Sequence, residues 1–241
     1  MFPIRDHNPS DTTPYVTYML VALNIAAFVL TEPYLGGFLQ WWIEGALYPV
    51  AVMHGVHVWG LVTHMFLHAG LLHLGGNMLF LWIFGDNLED QMGHVWFLLF
   101  YLTCGLVAAA AQIAADPSSN VPMVGASGAI AGVMGGYLLL FPKARVDVIA
   151  IIIILIKRFT IPAWVVLVLW FGLQLFSTYS TMGAESGVAY LAHTGGFLVG
   201  LVLTFPLLIR RGGRAFWDRT HGRPPNPPTA FATSRIPVVR R

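Results

Sequence analysis

The sequence predicts an all-α membrane protein, built as a bundle of six transmembrane helices. Of its 241 residues, 56% are hydrophobic and only 10% are charged, whereas a soluble domain carries about 25% charged residues. The mean hydropathy is +0.69, and long apolar runs such as residues 163–176 recur along the chain. So few charges could not cover the surface of a soluble domain of this size, so the chain is interpreted as a polytopic membrane protein.

Composition also narrows the classes of function. Cys104 is the only cysteine, which excludes a scaffold of disulfides within the chain. The formal net charge is only +2, and the basic residues lie away from any groove-like aromatic pattern, which argues against nucleic acid as a partner. The partner that the composition predicts is the lipid bilayer.

Six segments approach the roughly 20 apolar residues that a spanning helix needs. They cover residues 14–31, 71–87, 94–115, 125–141, 162–180 and 187–209. The first is interpreted as a retained helix and not as a signal peptide, because Asp6 and Asp11 accompany Arg5 and no small-residue cleavage site follows the run.

The ends of the other five segments carry recognisable boundary residues. The second ends at an acidic cluster, the third before Asp116, the fourth at Pro142 and the sixth at Arg210. The fifth has Pro162 in its first turn, where a proline is tolerated.

Two further stretches do not fit a spanning helix. Residues 36–70 are too irregular, and the tryptophans Trp41, Trp42 and Trp59 favour a long loop lying partly in the outer leaflet. Residues 146–156 are apolar but too few to cross as a helix at about 1.5 Å per residue. We expect them at the cytoplasmic interface or packed on the bundle.

The distribution of positive charge predicts the orientation in the membrane. With six spans and both termini inside, all thirteen Lys and Arg residues lie in the cytoplasm, and the outer loops, residues 32–70, 116–124 and 181–186, contain none.

The chain then divides into a cytoplasmic segment (1–13), a membrane domain (14–209) and a basic, proline-rich tail (210–241) that is expected to be disordered. The short tails and the absence of a transit peptide favour a bacterial inner membrane.

Four polar side chains in the predicted helices are candidate functional residues, because such groups are costly in a bilayer. His73 and Asn77 are spaced i, i+4 and share one helix face. Ser127 lies at the outer end of its helix, and His193 lies about 9 Å below the outer end of the last one. The topology therefore predicts one shallow depth for all four.

The four residue types suit acyl transfer. An imidazole with an ordinary pKa near 6.5 can activate a serine hydroxyl, and amide, imidazole and backbone N–H groups can stabilise an oxyanion. No carboxylate is expected at this depth, which predicts a Ser–His dyad. Glycines spaced by four residues, Gly128, Gly132 and Gly136 on one helix and Gly196 and Gly200 on another, favour the close helix contact that the dyad needs.

Three motifs resemble those of the rhomboid family of intramembrane serine proteases, over roughly residues 15–210. They are Gly-Ala-Ser-Gly at 125–128, Ala-His-Thr-Gly-Gly at 192–196 and His-Leu-Gly-Gly-Asn at 73–77. The resemblance implies a six-helix rhomboid-like bundle that cleaves single-pass transmembrane proteins without metal or cofactor. It implies Ser127 as nucleophile, His193 as base, and His73 and Asn77 as oxyanion donors.

Two positions depart from the family pattern. Gly60 follows Trp59 where the family often has arginine, and Ala131 stands where some members have an aromatic residue that stacks on the catalytic histidine. The orientation of His193 is therefore not explained by the sequence.

Three other interpretations remain open. A catalytically inert rhomboid-like protein could bind transmembrane helices, although such relatives are expected to lack the serine or the histidine. A transporter would need a polar path to both faces, and we expect no buried titratable group in the cytoplasmic half. His64, His68 and His73 have spacings that zinc sites use, but no acidic or thiol ligand completes the set.

Overall fold

The computed structural model describes residues 2–8, 10–152, 155–180 and 189–224, and six long helices dominate this part of the chain. Each overlaps an apolar run that predicted it, so the mostly helical fold is confirmed. They are α1 (Tyr15–Thr31), α5 (Leu71–Met92), α6 (His94–Ala115), α7 (Ser127–Leu140), α8 (Ala163–Ser180) and α9 (Tyr190–Arg210). Shorter helices are α2 (Leu39–Gly45), α3 (Pro49–Met53), α4 (Gly60–Thr63) and α10 (Arg214–Thr220).

The long helices differ in their capacity to span a bilayer. By length and hydropathy, α6, α8 and α9 can each cross, and a fourth span results if Gly60–Phe66 is counted with α5, which it meets at 91°. Helices α1 and α7 have only 17 and 14 residues. Most residues of α7 are buried among other helices, so α7 need not match the thickness of the bilayer by itself.

Helix α7 lies at the centre of the bundle and contacts α5, α6, α8 and α9. Its backbone touches that of α9. An ideal Cβ on Gly196 would lie 2.0 Å from the carbonyl oxygen of Gly128, and one on Gly200 would lie 2.0 Å from that of Gly132. Only glycine fits at these points, and the close approach that the glycine spacing predicted is present.

A three-stranded antiparallel sheet lies at the C-terminal ends of α5 and α7. Its strands are β1 (Phe2–Asp6), β2 (Arg145–Ile152) and β3 (Leu155–Pro162), in the order β1-β2-β3. The described residues of the stretch 146–156 thus lie in β2 and β3, which pair antiparallel, and the buried Val146 and Val148 pack β2 on the bundle. A sheet was not expected, because a short apolar run rich in valine and isoleucine does not by its periodicity separate a buried strand from a helix.

Asp147 connects the three strands. Its buried carboxylate accepts hydrogen bonds from Arg158 and Thr160 on β3, and the Nε2 atom of His7, just after β1, lies 2.9 Å from it. Burial acts to raise the pKa of Asp147, but the hydrogen bonds from Thr160, His7 and Arg158 outweigh it and lower the pKa to about 2. The carboxylate is therefore charged at neutral pH, and its contacts hold the three strands together.

Glu89 is a second buried acid at the same end of the bundle. Its side chain is only 1% exposed and accepts hydrogen bonds from the backbone N–H groups of Val16 and Thr17, both at 2.8 Å. It thereby caps α1, which has no side-chain cap of its own. The expectation that the half of the bundle predicted to be cytoplasmic lacks buried titratable groups is wrong, because Glu89 and Asp147 are buried there and hold elements together.

The chain beyond residue 210 is ordered as far as it is described. Phe216 on α10 is buried, and its ring centroid lies 6.3 Å from that of Phe141. The indole of Trp217 donates a hydrogen bond to the carbonyl of Leu139. The prediction that the chain is disordered from residue 210 is therefore wrong for α10, whose aromatic residues pack on the end of α7. Residues 225–241 lie outside the described residues.

Candidate active site

The four candidate side chains all lie near the N-terminal ends of long helices. Ser127 is the first residue of α7, His193 the fourth of α9, and His73 and Asn77 lie in the first two turns of α5. These helix ends point to the same side of the bundle, opposite the sheet, and all four residues line one cavity. The structure thus brings together the residues that the sequence predicted to share a depth.

Ser127 and His193 are in direct contact. The Oγ atom of Ser127 lies 2.8 Å from Nε2 of His193, within hydrogen-bond distance. The contact between the glycines of α7 and α9 makes this distance possible, because bulkier residues there would hold the two helices further apart. A serine hydroxyl in this position can transfer its proton to the imidazole when it attacks a carbonyl carbon.

The second ring nitrogen of His193 also has a partner. Its Nδ1 atom lies 2.8 Å from Oε1 of Gln174 on α8. A carbonyl oxygen can only accept, so Nδ1 carries the proton and Nε2 is free to accept from Ser127. Trp170, one turn earlier on α8, lies against the same ring with centroids 5.9 Å apart.

Gln174 was missed by the sequence analysis. The one available signal was an amide within the otherwise apolar stretch 163–176. Ala131, where some family members have an aromatic residue, is fully buried and lies close to Gly196. Aromatic neighbours of the His193 ring come instead from Trp170 on α8 and from Tyr190 on α9, whose ring centroid lies 6.5 Å away.

His73 faces the same space from α5. Its Nδ1 atom accepts a hydrogen bond of 3.4 Å from the backbone N–H of Ala69, which places the ring proton on Nε2. An ideal Cβ on Gly125 would lie 2.8 Å from Nε2 of His73 and 3.5 Å from Oγ of Ser127. The protonated edge of His73 and the serine hydroxyl therefore flank the same point.

Asn77 lies one turn below His73 and is 7% exposed. Its amide nitrogen donates a hydrogen bond of 3.0 Å to the carbonyl of His73. One amide N–H is thus engaged, and the amide has a second that can serve a ligand in the cavity.

Backbone donors converge from the start of α7. The first helical hydrogen bond runs from the N–H of Ile130 to the carbonyl of Ala126, so the N–H groups of Ser127 and Gly128 precede the bonded part of the helix. Gly125 holds the preceding turn with a φ of +125° and donates its N–H to the carbonyl of His64 at 2.9 Å. Ser127 therefore lies beside backbone N–H groups that have no partner within the helix and can bind a developing oxyanion.

The cavity above these groups has a volume of about 1590 Å³. Apolar side chains such as Phe80, Met134 and Trp170 line it, and the polar residues of loop 116–120 contribute to its wall. The cavity wall is therefore partly apolar and partly polar.

The loop before α5 is held by its tryptophans. The indole of Trp59 donates to the carbonyl of Glu44 at 2.8 Å, and that of Trp42 donates to the carbonyl of His68 at 3.1 Å. Gly60 is required next to Trp59, because a Cβ there would lie 2.8 Å from the carbonyl oxygen of Ala46. The close approach of the Gly60 and Ala46 backbones thus accounts for a glycine where the family often has arginine.

The histidines of this loop do not form a metal cluster. His64 is buried, and its Nδ1 atom lies 2.8 Å from the carbonyl oxygen of Gly60. Within the described part of the chain, no group of three or more His, Cys, Asp or Glu side chains converges as metal ligands would. Glu185, which belongs to the predicted outer loop of residues 181–186, lies outside the described residues.

Comparison with known proteins agrees with the sequence motifs. A family model described as the rhomboid domain matches residues 55–210. The chain is 34% identical to RHOMBOID-like protein 6, mitochondrial, of Arabidopsis thaliana over 69% of this chain and 49% of that protein. It is 36% identical to the rhomboid protease GluP of Bacillus subtilis over 52% of this chain and 24% of that protein.

A yeast relative covers more of the chain. Rhomboid protein 1, mitochondrial, of Saccharomyces cerevisiae is 29% identical over 78% of this chain and 51% of that protein. The chain thus spans about half, or less, of the length of these relatives.

Proposed function

Because the chain belongs to the rhomboid family, we propose that it is an intramembrane serine endopeptidase that cleaves single-pass transmembrane proteins. The observation that carries this proposal is the 2.8 Å contact between Oγ of Ser127 and Nε2 of His193. In the proposed reaction Ser127 is the nucleophile and His193 the general base, and no metal or cofactor takes part.

The proposed reaction has two halves. In the first, the Ser127 oxygen attacks the carbonyl carbon of the scissile peptide while His193 takes the hydroxyl proton. The tetrahedral oxyanion accepts hydrogen bonds from the Ser127 N–H, the His73 imidazole and the Asn77 amide. His193 then gives the proton to the leaving amine, and an acyl-enzyme remains.

The second half removes the acyl group. His193 takes a proton from a water molecule, whose oxygen attacks the ester carbon. The second tetrahedral intermediate collapses, Ser127 recovers its proton from His193, and a carboxylic acid leaves. All of these steps use the same donors, so one set of side chains serves both halves.

The position of the cavity supports a membrane-embedded substrate. The reacting groups lie within the first turns of helices in an apolar bundle, so a segment entering the site comes from a transmembrane helix or its flank. A peptide bond is accessible only where the backbone is not helical, which favours cleavage near the end of the substrate helix. We further propose that this end faces the outer side, with both termini in the cytoplasm of a bacterial cell.

Proteolysis by purified protein in detergent and in liposomes tests the proposal. Wild type, Ser127→Ala and His193→Ala are incubated with a panel of single-pass membrane proteins, and cuts are mapped by mass spectrometry. Ser180→Ala, at an exposed serine that ends α8 and does not line the cavity, is the matched control. We expect cleavage by wild type and the control alone, and fluorophosphonate labelling only where Ser127 is present.

The outcomes are distinct. Equal cleavage by wild type and Ser127→Ala would refute the serine mechanism. If wild type cleaves no substrate and is not labelled, but substrates co-purify with it, the inert helix-binding alternative is correct. Combining the two substitutions should cost no more than either alone, because the two residues act as a unit.

A further inference from the structure

We propose that Gln174 is a positioning residue for the reaction, fixing the tautomer and the ring orientation of His193. This inference rests on the proposed protease function and extends it to α8. It follows from two contacts of the same ring. Oε1 of Gln174 lies 2.8 Å from Nδ1 of His193, and Nε2 of His193 lies 2.8 Å from Oγ of Ser127.

Both ring nitrogens of His193 are used, and their roles depend on each other. When Gln174 accepts the proton of Nδ1, Nε2 has a free lone pair directed at Ser127. In the other tautomer the proton sits on Nε2, and the serine hydroxyl faces a donor and has no base. The two neutral tautomers of an imidazole have similar free energies in water. A hydrogen-bond acceptor at Nδ1 therefore determines which of them dominates.

Gln174 is well placed on its helix for this task. Helix α8 has few buried residues, Ala163 and Leu167 among them, and Trp170 and Gln174 continue the same face at intervals of three and four residues. This face contacts α9. Gln174 is half-buried, so its amide is partly shielded from competing hydrogen-bond partners.

An amide at this position differs from the carboxylate of a catalytic triad. It orients the imidazole but carries no charge, and therefore it does not stabilise the imidazolium that forms during attack. A carboxylate would do so and would make His193 hold its proton to higher pH. The identity of residue 174 should therefore be visible in the pH dependence of cleavage, which a residue that only fills space would not change.

Three substitutions separate orientation from packing. Gln174→Leu removes the acceptor with little change in size, Gln174→Asn withdraws it by one methylene, and Gln174→Glu keeps the acceptor and adds charge. Leu173→Ala is the matched control, because the neighbouring Leu173 is 62% exposed and does not line the cavity. For each variant kcat and KM are measured from pH 5 to pH 9, together with the melting temperature.

We expect Gln174→Leu and Gln174→Asn to lower kcat about 10-fold, the equivalent of one lost hydrogen bond, with KM little changed. Gln174→Glu should retain activity, and the pH of half-maximal kcat should rise by about one unit. The control should match wild type. An unchanged kcat in Gln174→Leu, or an unchanged pH midpoint in Gln174→Glu, would overturn the proposal.

A readout without catalysis keeps this inference separate from the protease proposal. Spectra of protein labelled with ¹⁵N-histidine report which ring nitrogen is protonated, and subtraction of the His193→Ala spectrum identifies His193. We expect a single Nδ1–H tautomer in wild type and a mixture in Gln174→Leu. A mixture in wild type refutes the positioning role, whereas a single tautomer in a protein that cleaves nothing refutes only the protease function.

Discussion

At the scale of single residues, the backbone and the neighbours of Gly125 both restrict what can stand at this position near Ser127. It combines a φ of +125° with contact against His73, so a side chain there would meet both backbone strain and the imidazole. The small residues around Ser127 therefore also keep His73 in place.

We expect Gly125→Ala to abolish cleavage while the protein still folds. The matched control is Gly36→Ala, where φ is +82° and nothing lies within 4 Å of the added Cβ. Both variants incur backbone strain, but only Gly125→Ala displaces His73. Cleavage rates and melting temperatures of the purified variants measure the difference, and equal activity of the two would contradict the assigned contact.

Asp6 makes stability depend on pH. Burial raises its pKa to about 6, although hydrogen bonds from Asn8 and Tyr137 act in the opposite direction. A carboxyl group whose pKa is raised on folding contributes stability below its unfolded value of 3.8, and this is lost as the pH rises through about 6.

We therefore expect the melting temperature of wild type to fall between pH 4 and pH 7 more than that of Asp6→Asn. The difference corresponds to at most ~3 kcal/mol for a shift of about two units. Asp11→Asn, at an exposed aspartate, should follow wild type. Parallel curves for wild type and Asp6→Asn would show that this carboxyl is not the group responsible.

Which site residues could be predicted from the sequence depended on their place along the helices. Ser127, His193, His73 and Asn77 lie near helix ends, so topology and a rise of 1.5 Å per residue were enough to predict a common depth. Gln174 could not be found in this way. Its contact depends on the rotation of α8 about its axis, which a nearly uniform apolar sequence does not specify.

At the scale of elements, the contact between α7 and α9 is the feature on which the Ser127–His193 distance depends. The carbonyl of Gly132 occupies the space that a Cβ on residue 200 would need. A methyl group there forces the helices apart or bends one of them. The packing contacts that small residues allow between the two helices are then lost.

We expect Gly200→Ala to lower both the melting temperature and kcat, because the helix separation is transmitted to the dyad. Gly172→Ala on α8 is the control, since nothing lies within 4 Å of its added Cβ; there alanine should be neutral or slightly stabilising. Thermal unfolding followed by circular dichroism, with cleavage assays alongside, measures both effects. Identical behaviour of the two variants would mean that the helix contact is not close.

A second prediction at this scale follows from the cap that Glu89 provides to α1. Glu89→Ala leaves two backbone N–H groups of α1 and the hydroxyl of Thr17 without their acceptor. We expect a loss of about 2–4 kcal/mol in unfolding free energy, and a smaller loss for Glu89→Gln, which keeps an acceptor. Glu44→Ala, at an exposed glutamate bonded to Gln40, should be neutral when unfolding is measured by denaturant titration.

The elements that sequence analysis missed share one cause. The hairpin of β2 and β3 and the helix α10 are short, and tertiary contacts decide their conformation. Val146 and Val148 are buried on the bundle, and Phe216 packs against Phe141. The long helices needed no such context, because their length and hydropathy already predicted them.

At the scale of the whole molecule, the chain has two distinct faces. The sheet, the described end of the chain around α10, and the buried acids lie at one face, and Ser127 with its partners lies at the other. Both ends of the described chain therefore lie at the same face of the molecule.

A reporter of compartment tests which side this is. We expect a fusion after Arg241 to report cytoplasm and an insertion near Asn120 to report the outer side, because all Lys and Arg residues then lie inside. An insertion between Thr12 and Thr13 should agree with the C-terminal fusion. The reverse pattern would put the proposed active site at the cytoplasmic surface. It could then reach only peptide bonds near the cytoplasmic end of a substrate helix.

The pairing of β1 with β2 has a consequence for biosynthesis. Strand β1 is complete at Asp6, but its partner begins only at Arg145, so at 5–20 residues per second the ribosome needs roughly 7–30 s to supply it. During that interval the long helices α1, α5, α6 and α7 are synthesised while the first strand has no sheet to join. The opening residues thus fold among the last, and a bulky fusion placed before them would impede the final closure without hindering insertion.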